Sequence, residues 1–178
     1  MSGSLFIVAA PSGAGKTSLV KGLLEREPGI RLSVSHTTRR PRPGEDDGTH
    51  YHFVTRDAFM DLVGQGAFLE YADVHGNCYG TSKAAVEPIL ARGDDVLLEI
   101  DFQGARLVRE QLPASVGIFI LPPSRAELER RLRARAQDSA DVIAKRLENS
   151  REEIAHVHEF DYVLVNEDFE TTLAGLVA

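Results

Sequence analysis

The chain has 178 residues, enough for one domain of ordinary size, with or without inserted lobes. With 43% hydrophobic and 26% charged residues it has the composition of a soluble globular protein, and a net charge of −7 argues against general nucleic-acid or anionic-membrane binding. The single cysteine, Cys78, excludes an internal disulfide framework, and no apolar run reaches membrane-spanning length, so a cytoplasmic location is the expectation.

The first apolar run, Leu5-Phe6-Ile7-Val8-Ala9, predicts a strand. Residues 17–27 predict a helix, with Leu19, Val20, Leu23 and Leu24 on one stripe. Between them lies Ala10-Pro11-Ser12-Gly13-Ala14-Gly15-Lys16-Thr17. Strand, glycine-rich turn and helix form the context of a phosphate-binding P-loop. Gly13 and Gly15 would let the backbone approach a phosphate, with loop N–H groups and the helix N-terminus directed at the anion. Lys16 would reach the β- and γ-phosphates, and the Thr17 hydroxyl would ligate Mg²⁺. Ala10 stands at the first glycine position of the usual motif.

Residues 32–35 predict a short strand, and residues 36–48 a loop with two prolines, two glycines and three arginines. Arginine-rich loops are mostly solvated surface, but a phosphate donor site requires an acceptor site, which gives this loop a second reading. Residues 51–54 alternate like a strand. Thr55 caps a predicted helix over 56–63, and residues 68–74 predict a strand ahead of a turn at Gly76-Asn77. The stretch from Ser35 to about Ser82 therefore reads as a compact α+β insert. A helix follows over 83–92, bent at Pro88, since an internal proline costs about 3 kcal/mol in a straight helix.

Residues 95–101 predict a buried strand ending in acid, beside a P-loop in character of a Walker B element. Glu99 and Asp101 share one face of it. Two readings of Glu99 stand side by side: an Mg²⁺ partner, directly or through water, or one of the strand-end acids that merely cap the next helix, as Asp101 could for residues 102–111. A strand over 116–121 leads to a helix capped by Ser124, with Glu127 as its capping-box partner. A second helix is predicted over 140–158. These two helices carry Arg130, Arg131, Arg133, Arg135, Lys145, Arg146 and Arg151. As a hinged pair they resemble a lid over a nucleotide; on composition alone they read as an exposed hairpin of mixed charge. Residues 162–165 predict the last strand, ending at Asn166, and residues 169–178 a helix. Strands alternating with helices imply a parallel sheet covered on both faces. The histidines lack metal-ligand spacing, and one cysteine makes a zinc site improbable.

Over essentially its whole length the chain resembles the guanylate kinases. The P-loop carries part of the likeness. More specific are Ser35 with Thr37-Thr38-Arg39-Arg40-Pro41-Arg42-Pro43-Gly44-Glu45, Gly48, and Tyr51-His52-Phe53. So are Phe68-Leu69-Glu70-Tyr71, His75-Gly76-Asn77-Cys78-Tyr79-Gly80-Thr81-Ser82 and Glu99-Ile100-Asp101-Phe102-Gln103-Gly104-Ala105. Arg135 with Gln137-Asp138-Ser139, and Val165-Asn166, complete the match.

The resemblance implies an α/β fold of the P-loop nucleoside monophosphate kinase type. It would have a parallel-sheet core (1–34, 83–131 and 147–178), an inserted GMP-binding lobe (35–82) and a helical lid (about 132–146). It implies phosphorylation of GMP, and by extension dGMP, by ATP with Mg²⁺, in purine nucleotide metabolism. By position, Ser35, Arg39, Arg42, Tyr51 and Tyr79 take the GMP phosphate, and Glu70, Thr81 and Asp101 the guanine. Ala10 to Thr17 take the ATP phosphates, Thr17 and through water Glu99 take Mg²⁺, and Asn166 lies near the adenine. Lys16, Arg39, Arg42 and the lid arginines Arg135 and Arg146 carry the catalytic charge. The implied partners are small-molecule substrates, with neither nucleic acid nor membrane. Three positions depart from the family pattern: Cys78 stands where a tyrosine is usual, Pro88 interrupts a helix, and the chain stops where relatives continue their last helix. Two rival readings are a protein-interaction module of this fold and a P-loop kinase for another phosphorylated acceptor.

Overall fold

A computed structural model of the chain describes residues 3–74, 76–134 and 139–178. In chain order the elements begin with β1 (Leu5–Ala9), α1 (Lys16–Arg26), β2 (Ile30–Leu32), β3 (His36–Thr37), β4 (His52–Phe53) and α2 (Arg56–Gly64). There follow β5 (Phe68–Val74), β6 (Asn77–Ser82), α3 (Lys83–Ala91), β7 (Asp95–Glu99), α4 (Phe102–Gln111) and β8 (Val116–Leu121). The chain ends with α5 (Arg125–Ala134), α6 (Ala140–Ala155), β9 (Tyr162–Val165) and α7 (Phe169–Val177). They divide between two compact units, one of Met1–Leu5, Ile30–Leu98 and Gln103–Ser115, the other of Phe6–Gly29, Glu99–Phe102 and Val116–Ala178.

In the first unit β2 runs parallel to β7, with Ile30 opposite Asp95 and Leu32 opposite Leu97. Val96 and Leu97 are completely buried, as expected of a parallel strand covered on both faces. The same unit holds a second sheet in the order β4-β3-β6-β5. The β5–β6 pair is antiparallel and carries a register shift between Phe68 and Glu70. Phe59, Phe68 and Cys78 form the core under this sheet, with Val54, Leu62 and Val63 against it. Cys78, where a tyrosine was the family expectation, is buried in that cluster, so a small apolar residue suits the site.

Two expectations shift here. The strand predicted over 32–35 divides: Ile30–Leu32 pairs with β7, while His36–Thr37 pairs with β4 and β6. Ser33 still donates to the Leu97 carbonyl, and then the chain passes from one sheet to the other. The strand predicted over 51–54 shortens to His52–Phe53. Helix α2 agrees with its prediction, its Thr55 side chain accepting from the Ala58 N–H. Helix α3 runs through Pro88, which forfeits one main-chain bond to the carbonyl four residues before it.

In the second unit β8 pairs in parallel with β1 on one side and β9 on the other. Ile7, Val8, Phe119 and Ile120 are buried at its centre. Helices α5 and α6 close on a small core of Leu128, Leu132, Ile143 and Leu147. Ser139 caps α6 through the Val142 N–H, and Asp168 caps α7 through the Thr171 N–H. The helix predicted to run to His158 stops at Ala155, and residues Val157–Glu159 form a 3₁₀ turn. The His156 ring stacks on Phe102 at 4.1 Å and its Nδ1 bonds Glu159, which draws the chain into the tighter turn.

Candidate active site

Gly13 and Gly15 shape the turn after β1. Both are left-handed, with φ of 94° and 97°, a conformation that side-chain-bearing residues rarely adopt. A Cβ on Gly15 would also stand 2.5 Å from the Asn166 Nδ2. Gly15 is the N-cap of α1, and no side chain caps that end. The first turn of α1 thus offers its N–H groups and positive dipole end where α2, α6 and α7 have a capping oxygen.

The loop is held from the far end of its own unit. Asn166, buried beyond β9, donates its Nδ2 to the Ala14 carbonyl at 2.8 Å. Arg131 on α5 donates to the Ala14 carbonyl at 3.3 Å and to the Asn166 carbonyl at 2.9 Å. Glu127 orients Arg131 at 2.8 Å and also binds Arg130. Ser124 caps α5 through the Glu127 N–H, as predicted. The Glu127 carboxylate takes the arginines, and they hold its carboxyl down at about 2. The sequence singled out Asn166 through the resemblance, but named Arg131 only as one of several arginines on the helix pair, without its reach to Ala14.

Lys16 and Thr17 begin α1, facing the end of β7. The Thr17 hydroxyl donates to Glu99 Oε1 at 2.8 Å, and the Lys16 Nζ lies 4.0 Å from the same oxygen. The structure thus places Glu99 beside the P-loop. A hydroxyl and a carboxylate are hard oxygen donors, the set that suits Mg²⁺. Among the described residues no group of three or more His, Cys, Asp or Glu could hold a metal.

The predicted acceptor residues fall into two clusters in the first unit. Glu70 and Thr81 face each other across β5 and β6, both buried, and the Thr81 hydroxyl donates to Glu70 Oε1 at 2.6 Å. Ser35 Oγ lies 3.4 Å from the Thr81 hydroxyl. In the other cluster the Arg39 guanidinium sits 5.4 Å from the Tyr51 ring centroid, and the Tyr51 and Tyr79 rings meet edge-on at 6.0 Å. Arg39 makes a two-pronged pair with Glu45, both bonds at 2.9 Å. The Arg42 N–H donates to the same carboxylate at 2.7 Å. Burial works against the Glu45 charge, yet these bonds hold its carboxyl below the usual range, and the Glu45 bond in turn raises Arg39. Glu45 is therefore the organiser of the arginine loop, a role its sequence neighbours gave no hint of. Asp101 belongs to the second unit, and Arg135 lies outside the described residues.

Helix α6 brings two further groups to the P-loop. Arg146 donates to the Ser12 hydroxyl at 3.3 Å. Two turns later stands Glu153, whose Oε2 is buried without a hydrogen-bond partner. Burial pushes the Glu153 carboxyl up to about 7; Lys16 opposes the shift and Asp101 adds to it. Its carboxylate is thus disfavoured in the fold relative to the unfolded chain. The associated stability is complete below the ordinary 4.5, declines as pH rises, and is lost by about 7. Glu153→Gln should consequently outlast the parent in urea at pH 8, by up to about 3 kcal/mol, with the gap closing toward pH 5. Urea titrations of the nucleotide-free proteins at both values check this; a gap that does not change with pH would assign the effect to packing.

A phosphate loop opening a helix, with lysine, hydroxyl and carboxylate beside it on an α/β frame, defines a P-loop nucleotide-binding protein. The particular family follows from comparison. The guanylate kinase family model matches residues 2–178, and the chain belongs to that family. It is 58% identical over 178 residues to the guanylate kinase of Alkalilimnicola ehrlichii, covering 100% of this chain and 88% of that one. With the guanylate kinase of Vibrio parahaemolyticus it shares 59% over 178 residues, covering 99% and 86%. The crystal structure of guanylate kinase from Anaplasma phagocytophilum superimposes with a TM-score of 0.81 at 38% identity, covering 98% of this chain and 82% of that one.

Proposed function

We propose that the chain is an ATP:GMP phosphotransferase, moving the γ-phosphoryl group of ATP to GMP and dGMP. The observation that carries this is the buried Glu70–Thr81–Ser35 chain in a protein whose P-loop is intact. A kinase for a different acceptor would have no use for a buried carboxylate that reads guanine. An interaction module would have no use for a complete Gly13-Ala14-Gly15-Lys16-Thr17.

The acceptor phosphate is a dianion and already a nucleophile near neutral pH, so the reaction calls for no general base. Its barrier is the approach of two anions and the spread of charge in a loose transition state. Positive charge and positioning are what the chain supplies. Lys16 and the α1 N-terminus take donor phosphates, with Arg146 and Arg135 as lid arginines and Asn166 near the adenine. Ser35, Arg39, Arg42, Tyr51 and Tyr79 take the acceptor phosphate; Glu70, Thr81 and Asp101 take the base. Thr17, with Glu99 through water, would hold Mg²⁺, which supplies charge neutralisation between the phosphates. The lobe is assigned to 35–82, the lid to about 132–146 and the core to the remainder. No helix among the described residues is long and apolar enough to cross a membrane; small-molecule substrates and a cytoplasmic setting are part of the proposal. ATP consumption coupled to a reporter, measured with GMP, dGMP, AMP and a ribose phosphate, tests the reading. Activity with guanine nucleotides alone is expected; equal rates with all four would overturn it.

Glu45 gives a separate test of the acceptor side. Glu45→Gln keeps its shape but turns an amide NH₂ toward one prong of the Arg39 guanidinium. Losing that charged bond is worth about 1.5–3 kcal/mol, so KM for GMP should rise roughly tenfold to a hundredfold while kcat changes less. Steady-state kinetics with saturating ATP would show the split. A fall in kcat at unchanged KM would take Arg39 out of ground-state GMP binding.

A further inference from the structure

We propose that Gln111, at the end of α4, is a positioning residue for base selection: it holds the β-bulge that carries Glu70 onto the Thr81 face of the second sheet. The proposal rests on the reading of Glu70 as the group that takes guanine.

Residues two apart on a regular strand share a face. Glu70 stands two residues after Phe68, so an unbroken β5 would put both on one face. That face is the apolar one. Phe68 packs there with Phe59 and Cys78, and a Cβ on Gly80 would stand 2.9 Å from the Phe68 ring. Cys78 and Gly80 thus mark the apolar side of β6, and Thr81, an odd number of residues from each, belongs to the other side. Phe68 pairs with Ser82, and Glu70 pairs with Thr81. Two steps along β5 therefore match one step along β6, and Leu69 is the extra residue. One extra residue reverses the alternation. Glu70 is turned off the apolar face and joins Thr81, whose hydroxyl donates to its Oε1 at 2.6 Å.

A bulge interrupts the ladder, and the carbonyl of the extra residue needs a donor from elsewhere. Gln111 donates its Nε2 to the Leu69 carbonyl. The two residues are 42 apart in sequence, so this is a tie between α4 and β5 and not part of the hairpin's own bonding. Leu69 is buried, which makes water a poor substitute for the amide. Gln111 itself is exposed, so its replacement disturbs no core. Without the tie the bulge can shift, and the carboxylate beyond it loses its fixed direction. A two-pronged pair with guanine is the contact most sensitive to that loss, because both bonds depend on one orientation.

The test uses Gln111→Met, which keeps the length and removes the donor, and Gln111→Lys, which keeps a donor long enough to reach. Melting curves establish that each variant is folded, and steady-state kinetics at saturating ATP are measured with GMP and AMP. Gln111→Met should raise KM for GMP roughly threefold to tenfold, the effect of one lost hydrogen bond, with kcat changing less. AMP kinetics in Gln111→Met, and GMP kinetics in Gln111→Lys, should stay within about twofold of the parent. The same methionine change is then made in Glu70→Gln. Its cost for GMP should shrink to less than about twofold there, since the charged pair that it positions is already gone. Equal costs in the two backgrounds, equal losses for GMP and AMP, or an unchanged KM for GMP would each overturn the proposal and leave Gln111 a brace for the sheet. A parent with no preference for GMP over AMP would instead overturn the reading of Glu70, and the proposal with it.

Discussion

Lys16→Ala should abolish turnover while leaving GMP binding within about twofold of the parent. Lys16 begins α1, and its Nζ stands 4.0 Å from Glu99 and beside the turn shaped by Gly13 and Gly15. On the proposed reading its ammonium would follow the γ-phosphoryl group as that group moves between oxygens. Removing a single neutral donor from a stabilising site costs on the order of 10²–10³ in rate, and a full charge in a loose phosphoryl transfer is worth more. A fall of at least roughly 10³ in kcat is expected on that basis. The fold should tolerate the change, because the Lys16 side chain is partly exposed and its ion pair with Glu99 is long. Steady-state rates with saturating GMP, alongside calorimetric GMP titration of the mutant, check both halves. A mutant that keeps most of its rate would remove the P-loop from the chemistry. One that loses GMP binding as well would make Lys16 a structural residue.

The elements that the sequence predicted best are those defined by local rules. Strands Phe68–Val74, Val116–Leu121 and Tyr162–Val165 fall where apolar runs are bounded by turn residues, and α2 starts at the residue that Thr55 caps. The P-loop was legible because strand, glycines and helix agree with one another. Residues 32–35 were misread because alternation is silent on which sheet a strand joins, and the chain there serves two. Lys16 and Thr17 could be named from the spacing of the P-loop itself, whereas Glu70 and Thr81 were named only through the family resemblance, since nothing in the spacing around them says that the two side chains meet. Glu45 stands beside Asp46 and Asp47 in a charged loop, and nothing in that order says which acid takes Arg39. Arg131 stands between Arg130 and Leu132 on a helix of mixed charge, and only the fold shows that it reaches Ala14. Glu153 is one of several acids on α6.

Glu70→Gln should narrow the preference for GMP over AMP, chiefly by damaging the reaction of GMP. Guanine presents N1–H and N2–H₂ as adjacent donors, and a carboxylate offers two acceptors at matching spacing. Adenine places a bare N1 acceptor there and lacks the 2-amino group, so on the proposed reading the site would reject AMP as well as attract GMP. Glu70 is only 5% exposed, and the Thr81 hydroxyl at 2.6 Å fixes its carboxylate, so the side chain cannot turn away to spare the wrong base a repulsion. Sites that read polar groups in this way discriminate by about 10⁴ or more, against about 10² for an apolar pocket. The glutamine keeps the shape but sets one NH₂ donor against either a guanine donor or the Thr81 hydroxyl. Losing a charged bond and adding an unmatched donor amounts to about 1.4–4 kcal/mol, so kcat/KM for GMP should fall roughly tenfold to a thousandfold. AMP, which the carboxylate repelled, should lose far less. The Thr81 hydroxyl can rotate to accept from the new amide, which keeps the β5–β6 pairing and the fold intact. Measuring kcat/KM for both nucleotides in parent and mutant separates reading from bracing. Equal losses for GMP and AMP would mean that Glu70 holds the sheet together and does not read the base.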